Sequence, residues 1–531
     1  MSARIVLATL NAKYIHASLG LRYLMANMAR HGGADLAAIT TLREFTIHRP
    51  AQEVVDALLA ELGNAPVRIV GFGVYIWNVA QTLEVLRLLK SQCPQVKVVL
   101  GGPEVSHELD TQPIAQLADH VITGWGDVSF PKLCRALMHG PQPLMKVISG
   151  EQPPLADIAL PYAQYTDTDL AQRVLYVEAS RGCPFKCAFC LSALDKTAWA
   201  FELDAFLAEL DALYQRGARN FKFVDRTFNL KVDTSVRILQ FFLDTLQAAP
   251  TEPLALHFEL VPDHLPDALK TMVAQFPPGV LQFEIGIQTF NPEVQTKVSR
   301  RQDNDKTLAN IRWLLDHTQA HLHTDLIFGL PSETWESFAQ GFDRLYALRP
   351  HEIQLGVLKR LRGTPLAQRS LPGVEAQDGM AYAPEPPYTV LHTGAVNAEQ
   401  VQAFVRIARY WDLLVNSGRF ALGSALLLEE GSAFAALSAF ADWLWLRTGS
   451  THALTPENLL DALFDYLTRA RALPAETVRA ALLADYVASG ARSNPRALQG
   501  LLPRREKQAQ AKKAITARQE RHLATQEPRG R

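Results

Sequence analysis

The segment "VLYVEASRGCPFKCAFC" (174–190) runs from a β-branched, aromatic stretch into three closely spaced cysteines. Its first residues predict a β-strand, and the chain beyond it alternates further strands with helices. Six βα units in roughly 200 residues predict a partial (β/α)6 TIM-like barrel at 171–370, with functional residues at the carboxyl ends of its strands. The six predicted strands are 174–178, 221–225, 255–260, 281–286, 324–328 and 352–358.

Residues 1–148 show the same alternation and predict an α/β fold with a doubly wound, Rossmann-like parallel sheet. Three glycine-rich stretches, "GFGVY" (71–75), "LGGPE" (100–104) and "TGWGD" (123–127), fall at the carboxyl ends of its predicted strands. Open α/β sheets bind ligands at that edge, where glycine lets a large planar or phosphate-bearing group approach the backbone. One such turn is typical of a tight strand–helix connection, but three on one edge indicate a ligand. The five predicted strands are 4–9, 38–45, 67–75, 96–102 and 120–126.

The segments outside 1–148 and 171–370 differ in composition from these two predicted domains. Residues 149–170 are proline-rich and lack periodicity, which predicts a linker. Residues 371–503 predict a mostly α-helical C-terminal domain. The basic stretch 504–531 predicts a frayed helix or a disordered tail. That tail could touch RNA or an acidic partner, but a solvated tail is the favoured interpretation.

Composition argues against several classes of protein. The chain has 531 residues and a formal net charge of −1, so nothing electrostatic points to nucleic acid or an anionic membrane as its main partner. The most apolar region, 421–445, is interrupted by Glu429, Glu430 and Asp442, and no membrane span is predicted. Five cysteines in a chain of this length do not indicate a disulfide framework. We therefore expect a cytoplasmic protein without a secretory signal.

The cysteine triplet, Cys183, Cys187 and Cys190, has the spacing Cys-x3-Cys-x2-Cys. A structural zinc site needs a fourth ligand, usually from a second cysteine pair, and Cys93 and Cys134 stand singly. A thiol–disulfide relay would need only two of the three cysteines. A cubane iron–sulfur cluster held by three thiolates leaves one iron open to an external ligand, which suits a catalytic site at the end of a barrel strand.

The stretch "SRGCPFKCAFC" (180–190) resembles the signature of the radical S-adenosylmethionine (SAM) superfamily, including the aromatic Phe189. The resemblance implies that Cys183, Cys187 and Cys190 ligate a [4Fe–4S] cluster and that SAM chelates the fourth iron. It also implies reductive cleavage of SAM to a 5′-deoxyadenosyl radical. The electron would come from an external donor such as flavodoxin or ferredoxin.

Other strand ends are similar to elements of the same superfamily, namely "FVDRTFN" (223–229), "FEIGIQT" (283–289) and "DLIFGLPSE" (325–333). Asp225 is opposite in charge to the ammonium group of SAM, and Arg226 is opposite in charge to its carboxylate, so each could bind that group. In the last of these elements, Asp325 and Glu333 have a structural alternative to a role in SAM binding, namely the capping of a loop and a helix. The SAM contacts that the resemblance implies are Phe189, Asp225, Arg226, Glu284, Gln288, Arg300 and Gly329.

The N-terminal domain resembles the cobalamin-binding domains found in one class of radical SAM enzymes. Such domains often carry an Asp-x-His-x-x-Gly motif, whose histidine ligates cobalt. Here "LNAKYIHASLGLRYL" (10–24) has His16 and Gly20 but lacks the Asp and the spacing, so His16 is not favoured as the ligand. A degenerate domain that holds no cobalamin stays open. The cobalamin contacts that the resemblance implies are Gly73, Tyr75, Gly101, Gly102, Glu104, Gly124 and Gly126.

Nearly the whole chain is similar to a bacterial group that adds a C-terminal helical domain of unknown function, through "FVRIARYWDLLVNSGRF" (404–420) and "LGVLKRLRGTPL" (355–366). The resemblance implies that the C-terminal helices shape or cover the barrel mouth. It favours cobalamin-dependent methylation of an unactivated centre in an unknown small molecule. Radical cyclisation or oxidation of the anaerobic porphyrin-cyclase kind stays open, as does a non-enzymatic cobalamin or redox sensor. A tRNA methylthiotransferase is disfavoured, because that family needs three further N-terminal cysteines.

Overall fold

Strand β1 (Arg4–Asn11) is buried on both faces from Ile5 onward, as expected of a strand inside a parallel sheet that carries helices on each side. The computed structural model describes residues 4–195, 197–371, 377–491, 493–502 and 517–525. The chain divides into two units. The first unit consists of Met1–Arg226, Lys359–Glu375 and Ala383–Thr389, and the second of Thr227–Leu358, Ala376–Tyr382 and Val390–Arg531.

The first unit contains a six-stranded parallel sheet in the order β2-β1-β3-β4-β5-β6. Val6 and Leu10 pack on one face with the helices Ala51–Leu62 and Val79–Gln92. Ile5 packs on the other face with Leu19–Asn27 and Ser129–His139. The predicted doubly wound sheet is therefore confirmed. Its strands after β1 are β2 (Thr40–Thr46), β3 (Arg68–Gly73), β4 (Lys97–Gly101), β5 (His120–Thr123) and β6 (Val147–Ser149).

The segment that we expected to be a linker, 149–170, is ordered and packed in the first unit. Leu155 and Ile158 join a small core cluster with Tyr23 and Phe201. The helix Asp167–Gln172 begins inside the segment, with Thr166 as its capping residue. Periodicity did not reveal this packing, because short 3-10 turns and single apolar residues leave no repeating pattern. The unit's other helices are Ala34–Ala38, Pro113–Leu117, Leu203–Gln215 and Pro365–Gln368.

All six strands predicted for the barrel are present, within a residue or a few of the expected bounds. In the first unit β7 (Leu175–Val177) pairs in parallel with β10 (Asn220–Phe223), and β8 (Ser180–Arg181) pairs with β9 (Trp199–Ala200). In the second unit four parallel strands follow one another in chain order. These are β11 (Ala255–Leu260), β12 (Leu281–Gln288), β13 (His321–Phe328) and β14 (Glu352–Val357).

Strand β12 shows why the pattern was readable from sequence, since its burial alternates residue by residue. Phe283, Ile285 and Ile287 are buried, whereas Glu284 and Gln288 share the other, partly accessible face. A short antiparallel pair, β15 (Ala381–Tyr382) and β16 (Val390–His392), follows in the same unit. The helices between these strands are Val232–Ala248, Asp267–Val273, Pro292–Lys297, Asn304–His317 and Trp335–Tyr346.

The C-terminal region is helical, as its composition predicts. Ala517–Thr525 forms a helix within the basic stretch, whose other residues from 503 onward lie outside the described part of the chain. Taken singly, no helix in the described ranges has the length and apolar character needed to cross a membrane; Ala421–Leu428 and Ala433–Thr448 meet that test only as a pair bent by 106°. The other helices are Ala398–Trp411, Pro456–Asp465 and Ala475–Ala488.

Candidate functional site

A cavity of about 520 Å³ opens in the first unit at the carboxyl ends of β3, β4 and β5. Six of the seven residues singled out in the glycine-rich stretches line it, namely Gly73, Tyr75, Gly101, Gly102, Gly124 and Gly126. The cavity is also lined by residues that flank the cysteine loop, namely Glu178, Ser180, Arg181, Gly182, Ser192 and Asp195. The structure therefore brings two motifs that are distant in sequence to one cavity within a single unit.

Two adjacent glycines give the cavity wall at the end of β4 its shape. A Cβ on Gly101 would have only the Ile122 carbonyl oxygen near it, at 3.8 Å, so a side chain there would extend into the cavity. Gly102 has φ +111°, and a Cβ on it would lie 2.4 Å from the Val74 carbonyl oxygen. Gly102 is thus required by the close approach of Val74, the residue after β3, whereas the missing side chain of Gly101 leaves room for a ligand.

The cysteine loop holds Cys183 and Cys187 buried and Cys190 partly buried, and none of them forms a disulfide. The Cys183 amide donates to the Asp195 carbonyl at 2.9 Å, and the Cys190 amide donates to the Cys187 carbonyl at 3.1 Å. Burial raises the pKa of the Cys183 thiol, and the neighbouring Cys190 and Cys187 add to that rise.

Within the described ranges, no three His, Cys, Asp or Glu side chains converge closely enough to hold a metal ion, and this includes the three thiols. The donor set nevertheless fits an iron–sulfur cluster in kind, since soft thiolates on one loop are the ligands such clusters use. Cluster ligation by these cysteines therefore remains a prediction from sequence.

Arg181 joins the cysteine loop to the "TGWGD" turn. Its guanidinium donates to both carboxylate oxygens of Asp127, at 2.8 and 3.1 Å, and to Glu178 at 2.7 Å. It also lies over the Tyr23 ring at 4.2 Å. Nearby, the Trp125 indole donates to Asp195 at 3.0 Å. The sequence pattern indicates a role for the glycines of this turn but none for Trp125 and Asp127, because their partners lie far along the chain.

The predicted SAM residues of the first unit differ in accessibility. Asp225 is buried and accepts hydrogen bonds from the Ala179 amide at 2.9 Å and the Ser180 hydroxyl at 2.5 Å. Burial raises the pKa of Asp225 to about 7. Arg226 lines the cavity, whereas the half-buried Phe189 is not among the lining residues. Asp225 therefore holds the start of the cysteine loop in place.

The predicted SAM residues of the second unit lie on or beside β12 and β13. Glu284 accepts from His257 Nε2 at 2.9 Å if that nitrogen carries the proton. Gln288 has φ +71°, and its buried Oε1 has no hydrogen-bond partner in the described part of the chain. A buried acceptor without a partner is costly, and a ligand donor would satisfy it.

Arg300 donates through Nε to Gln302 at 3.0 Å and through a terminal nitrogen to the Gly286 carbonyl. A Cβ on Gly329 would lie 2.7 Å from Val390 Cγ1, so packing alone explains that glycine. Glu333 is buried and accepts from the Ser337 hydroxyl at 2.9 Å.

Two residues considered for the cavity lie outside its lining. Glu104 is buried, and its Oε1 accepts from Arg362 at 2.8 Å and from the Tyr388 hydroxyl at 2.9 Å. His16 is hydrogen bonded through Nδ1 to the Tyr176 hydroxyl at 2.7 Å. Both side chains are engaged within the protein, so neither is aimed at the cavity.

Family models match three stretches of the chain. Residues 5–134 match the B12 binding domain, residues 177–345 the radical SAM superfamily, and residues 376–527 a protein of unknown function, DUF4080. The cobalamin-dependent radical SAM methyltransferase TokK of Streptomyces tokunonensis is 23% identical over 64% of this chain and 52% of TokK. The chain thus spans about half the length of that relative.

Solved structures with a similar fold include TsrM, a radical S-adenosylmethionine methyltransferase from Kitasatospora setae. It has a TM-score of 0.56 and 16% identity, over 72% of this chain and 80% of TsrM. The cobalamin-dependent S-adenosylmethionine radical enzyme OxsB has a TM-score of 0.58 and 11% identity, over 91% of this chain and 79% of OxsB. At these identities the likeness establishes the fold.

Proposed function

Because the chain belongs to the radical SAM superfamily and carries a B12-binding domain, we propose that it is a cobalamin-dependent radical SAM methyltransferase. The proposed substrate is a small molecule methylated at an unactivated centre. The observation that carries the proposal is the shared cavity, whose walls are the glycine turns of the B12-binding domain and the flanks of the cysteine loop. A methyl carrier and a radical initiator must work on the same substrate, and a common cavity suits both.

Cys183, Cys187 and Cys190 would hold the [4Fe–4S] cluster. When bound, the cluster supplies an electron for cleavage of SAM, and cobalamin supplies a carrier for the methyl group. The chain's own residues orient these groups. Asp225 fixes Ala179 and Ser180 at the entry of the cysteine loop. The residues proposed to contact SAM are Phe189, Asp225, Arg226, Glu284, Gln288, Arg300 and Gly329.

Cobalamin binding would depend on the open wall at Gly101. We expect Gly101→Leu to abolish measurable cobalamin binding, because the new side chain extends into the cavity. The melting temperature should stay within about 3 °C of wild type, since the Cβ meets no close neighbour. Equilibrium dialysis and thermal unfolding measure the two quantities. Gly101→Ala, the graded control, should bind with intermediate affinity, and unchanged binding by Gly101→Leu would place the ligand elsewhere.

Cobalamin would bind without His16 as a cobalt ligand, because the His16 side chain is hydrogen bonded to Tyr176 and does not line the cavity. We expect His16→Ala to change the cobalamin Kd by less than about tenfold, which corresponds to 1.4 kcal/mol. The electron paramagnetic resonance (EPR) spectrum of cob(II)alamin in the wild type should show no splitting from a protein nitrogen. Tyr176→Phe is the matched control. A nitrogen splitting that disappears in His16→Ala would assign the ligand to His16 instead.

The proposed function is tested by reconstituting the protein without oxygen, with cobalamin, a reductant such as flavodoxin or ferredoxin, and SAM. The expected products are 5′-deoxyadenosine and S-adenosylhomocysteine, the latter only when cobalamin is present. No 5′-deoxyadenosine from the wild type would contradict radical chemistry and leave the sensor hypothesis. Deoxyadenosine without any cobalamin-dependent S-adenosylhomocysteine would favour cyclisation or oxidation, which the B12-binding match and the methyltransferase relative make the less favoured alternative.

A further inference from the structure

Residues 359–371, here called the strap, follow β14 in the chain and belong to the first unit. Arg362 donates through Nε to Glu104 at 2.8 Å and through a terminal nitrogen to Glu108 at 3.0 Å. Arg360 donates to the same Glu108 oxygen at 2.9 Å. The Tyr388 hydroxyl donates to Glu104 at 2.9 Å. Two arginines of the strap thus hold two carboxylates of the N-terminal sheet's β4–β5 connection.

Glu104 continues directly from Gly101, Gly102 and Pro103, which line the cavity. The turn is also tied to the residue that follows β3, since the Val74 amide donates to the Gly101 carbonyl at 2.8 Å. Because Glu104 is only 4% exposed, its carboxylate depends on its protein partners for charge compensation. Loss of Arg362 would leave that charge unpaired and favour movement of Glu104 toward water, and the cavity wall would move with it.

The other end of the strap reaches the cysteine loop. The Leu366 amide donates to the carbonyl of Ala188, the residue that follows Cys187. Thr364 stiffens the connection between the two anchors, because its hydroxyl accepts from the Ala367 amide at 3.2 Å and donates to the Leu361 carbonyl at 2.7 Å. One short, capped stretch of chain is therefore hydrogen bonded both to the turn that continues from Gly101–Pro103 and to the cysteine loop, each of which contributes neighbouring residues to the cavity lining.

We infer that Arg362 is a positioning residue that fixes the Gly101–Glu104 turn relative to the cysteine loop, so that the strap sets the placement of cobalamin against the cluster. The inference rests on the proposed function. It differs from a general role in stability, since it concerns the separation of two sites rather than whether the chain folds.

The test compares Arg362→Met with Arg43→Met. Arg43 lies on β2 and pairs with Glu61 of the helix Ala51–Leu62, and neither residue lines the cavity. We expect Arg362→Met to weaken cobalamin binding about tenfold, with iron content per chain unchanged. In the reduced holoprotein, EPR spectroscopy should show a wider distribution of the spin–spin coupling between cob(II)alamin and the cluster. The reason is that the turn, and with it the cobalamin, would no longer have a single position. Arg43→Met should match wild type in all three measurements.

Glu104 provides the second pair of variants. Glu104→Gln keeps an oxygen that can accept hydrogen bonds from Arg362 and Tyr388. It should therefore retain most of the cobalamin affinity and a narrow distribution of the spin–spin coupling. Glu104→Leu should behave like Arg362→Met. These two remain informative if Arg362→Met does not fold. Wild-type affinity and coupling in both Arg362→Met and Glu104→Leu would overturn the inference. Absence of cobalamin binding in the wild type would instead overturn the proposed function, and the two failures are therefore distinguishable.

Discussion

Cys187→Ala, reconstituted without oxygen, should contain background iron and form no 5′-deoxyadenosine from SAM. Cys187 is buried in the middle of the cysteine loop, and its carbonyl anchors the amide of Cys190. Three thiolates are the smallest set expected for a cluster that leaves one iron open to SAM. With two, neither assembly of the cluster nor electron delivery to SAM should survive. Iron analysis, the visible absorption of the cluster and chromatography of the SAM products measure the loss.

The matched controls are the chain's other cysteines. Cys93 is half-buried after the helix Val79–Gln92, and Cys134 is buried in Ser129–His139. Cys93→Ala should retain full iron and product formation, because its thiol lies outside the loop. Burial raises the pKa of the Cys134 thiol far above its usual value, so that side chain remains a neutral core residue and is no ligand. Normal iron and product in Cys187→Ala would contradict the proposed ligand set.

The fold could be predicted from sequence wherever a local pattern carries the information. Strand–helix alternation identified the doubly wound sheet and all six later strands, because a buried parallel strand or an alternating strand such as β12 shows its environment in its own residues. Strand β6, Val147–Ser149, was missed, since three partly exposed residues at a sheet edge give no such signal. The packing of segment 149–170 was missed because short 3-10 turns and single apolar residues leave no repeating pattern.

The cavity could be predicted from the glycine turns, but its polar supports could not. Glu104 was expected to contact the ligand because it ends "LGGPE", yet its partner Arg362 lies 258 residues further along the chain. Arg181 stands in the quoted stretch 180–190 with no role predicted for it, and its partner Asp127 lies 54 residues earlier. A sequence shows a charged residue beside a motif. Whether that residue faces a ligand or an opposite charge depends on chain segments that only folding brings together.

A buried group of charges behind the cavity carries the second large expected effect. Arg22 is 2% exposed and donates to Glu44 and Asp169, each at 2.8 Å. Arg173 donates to the same Glu44 oxygen at 2.6 Å, and the Ser18 amide donates to its other oxygen at 2.6 Å. The group ties the helix Leu19–Asn27, which lines the cavity, to β2 and to the helix Asp167–Gln172.

Arg22→Leu should lower the free energy of unfolding by about 3–5 kcal/mol, because it leaves two buried carboxylates with one arginine between them. For a unit of this size, this corresponds to a melting temperature lower by about 6–10 °C. The variant Arg43→Met should cost at most about 1 kcal/mol, since the Arg43 side chain is 53% exposed to solvent. Adding Glu44→Leu to Arg22→Leu should recover part of the loss, as an uncompensated charge is removed with its partner. If Arg22→Leu unfolds at the same temperature as Arg43→Met, the buried charges do not hold this helix in place.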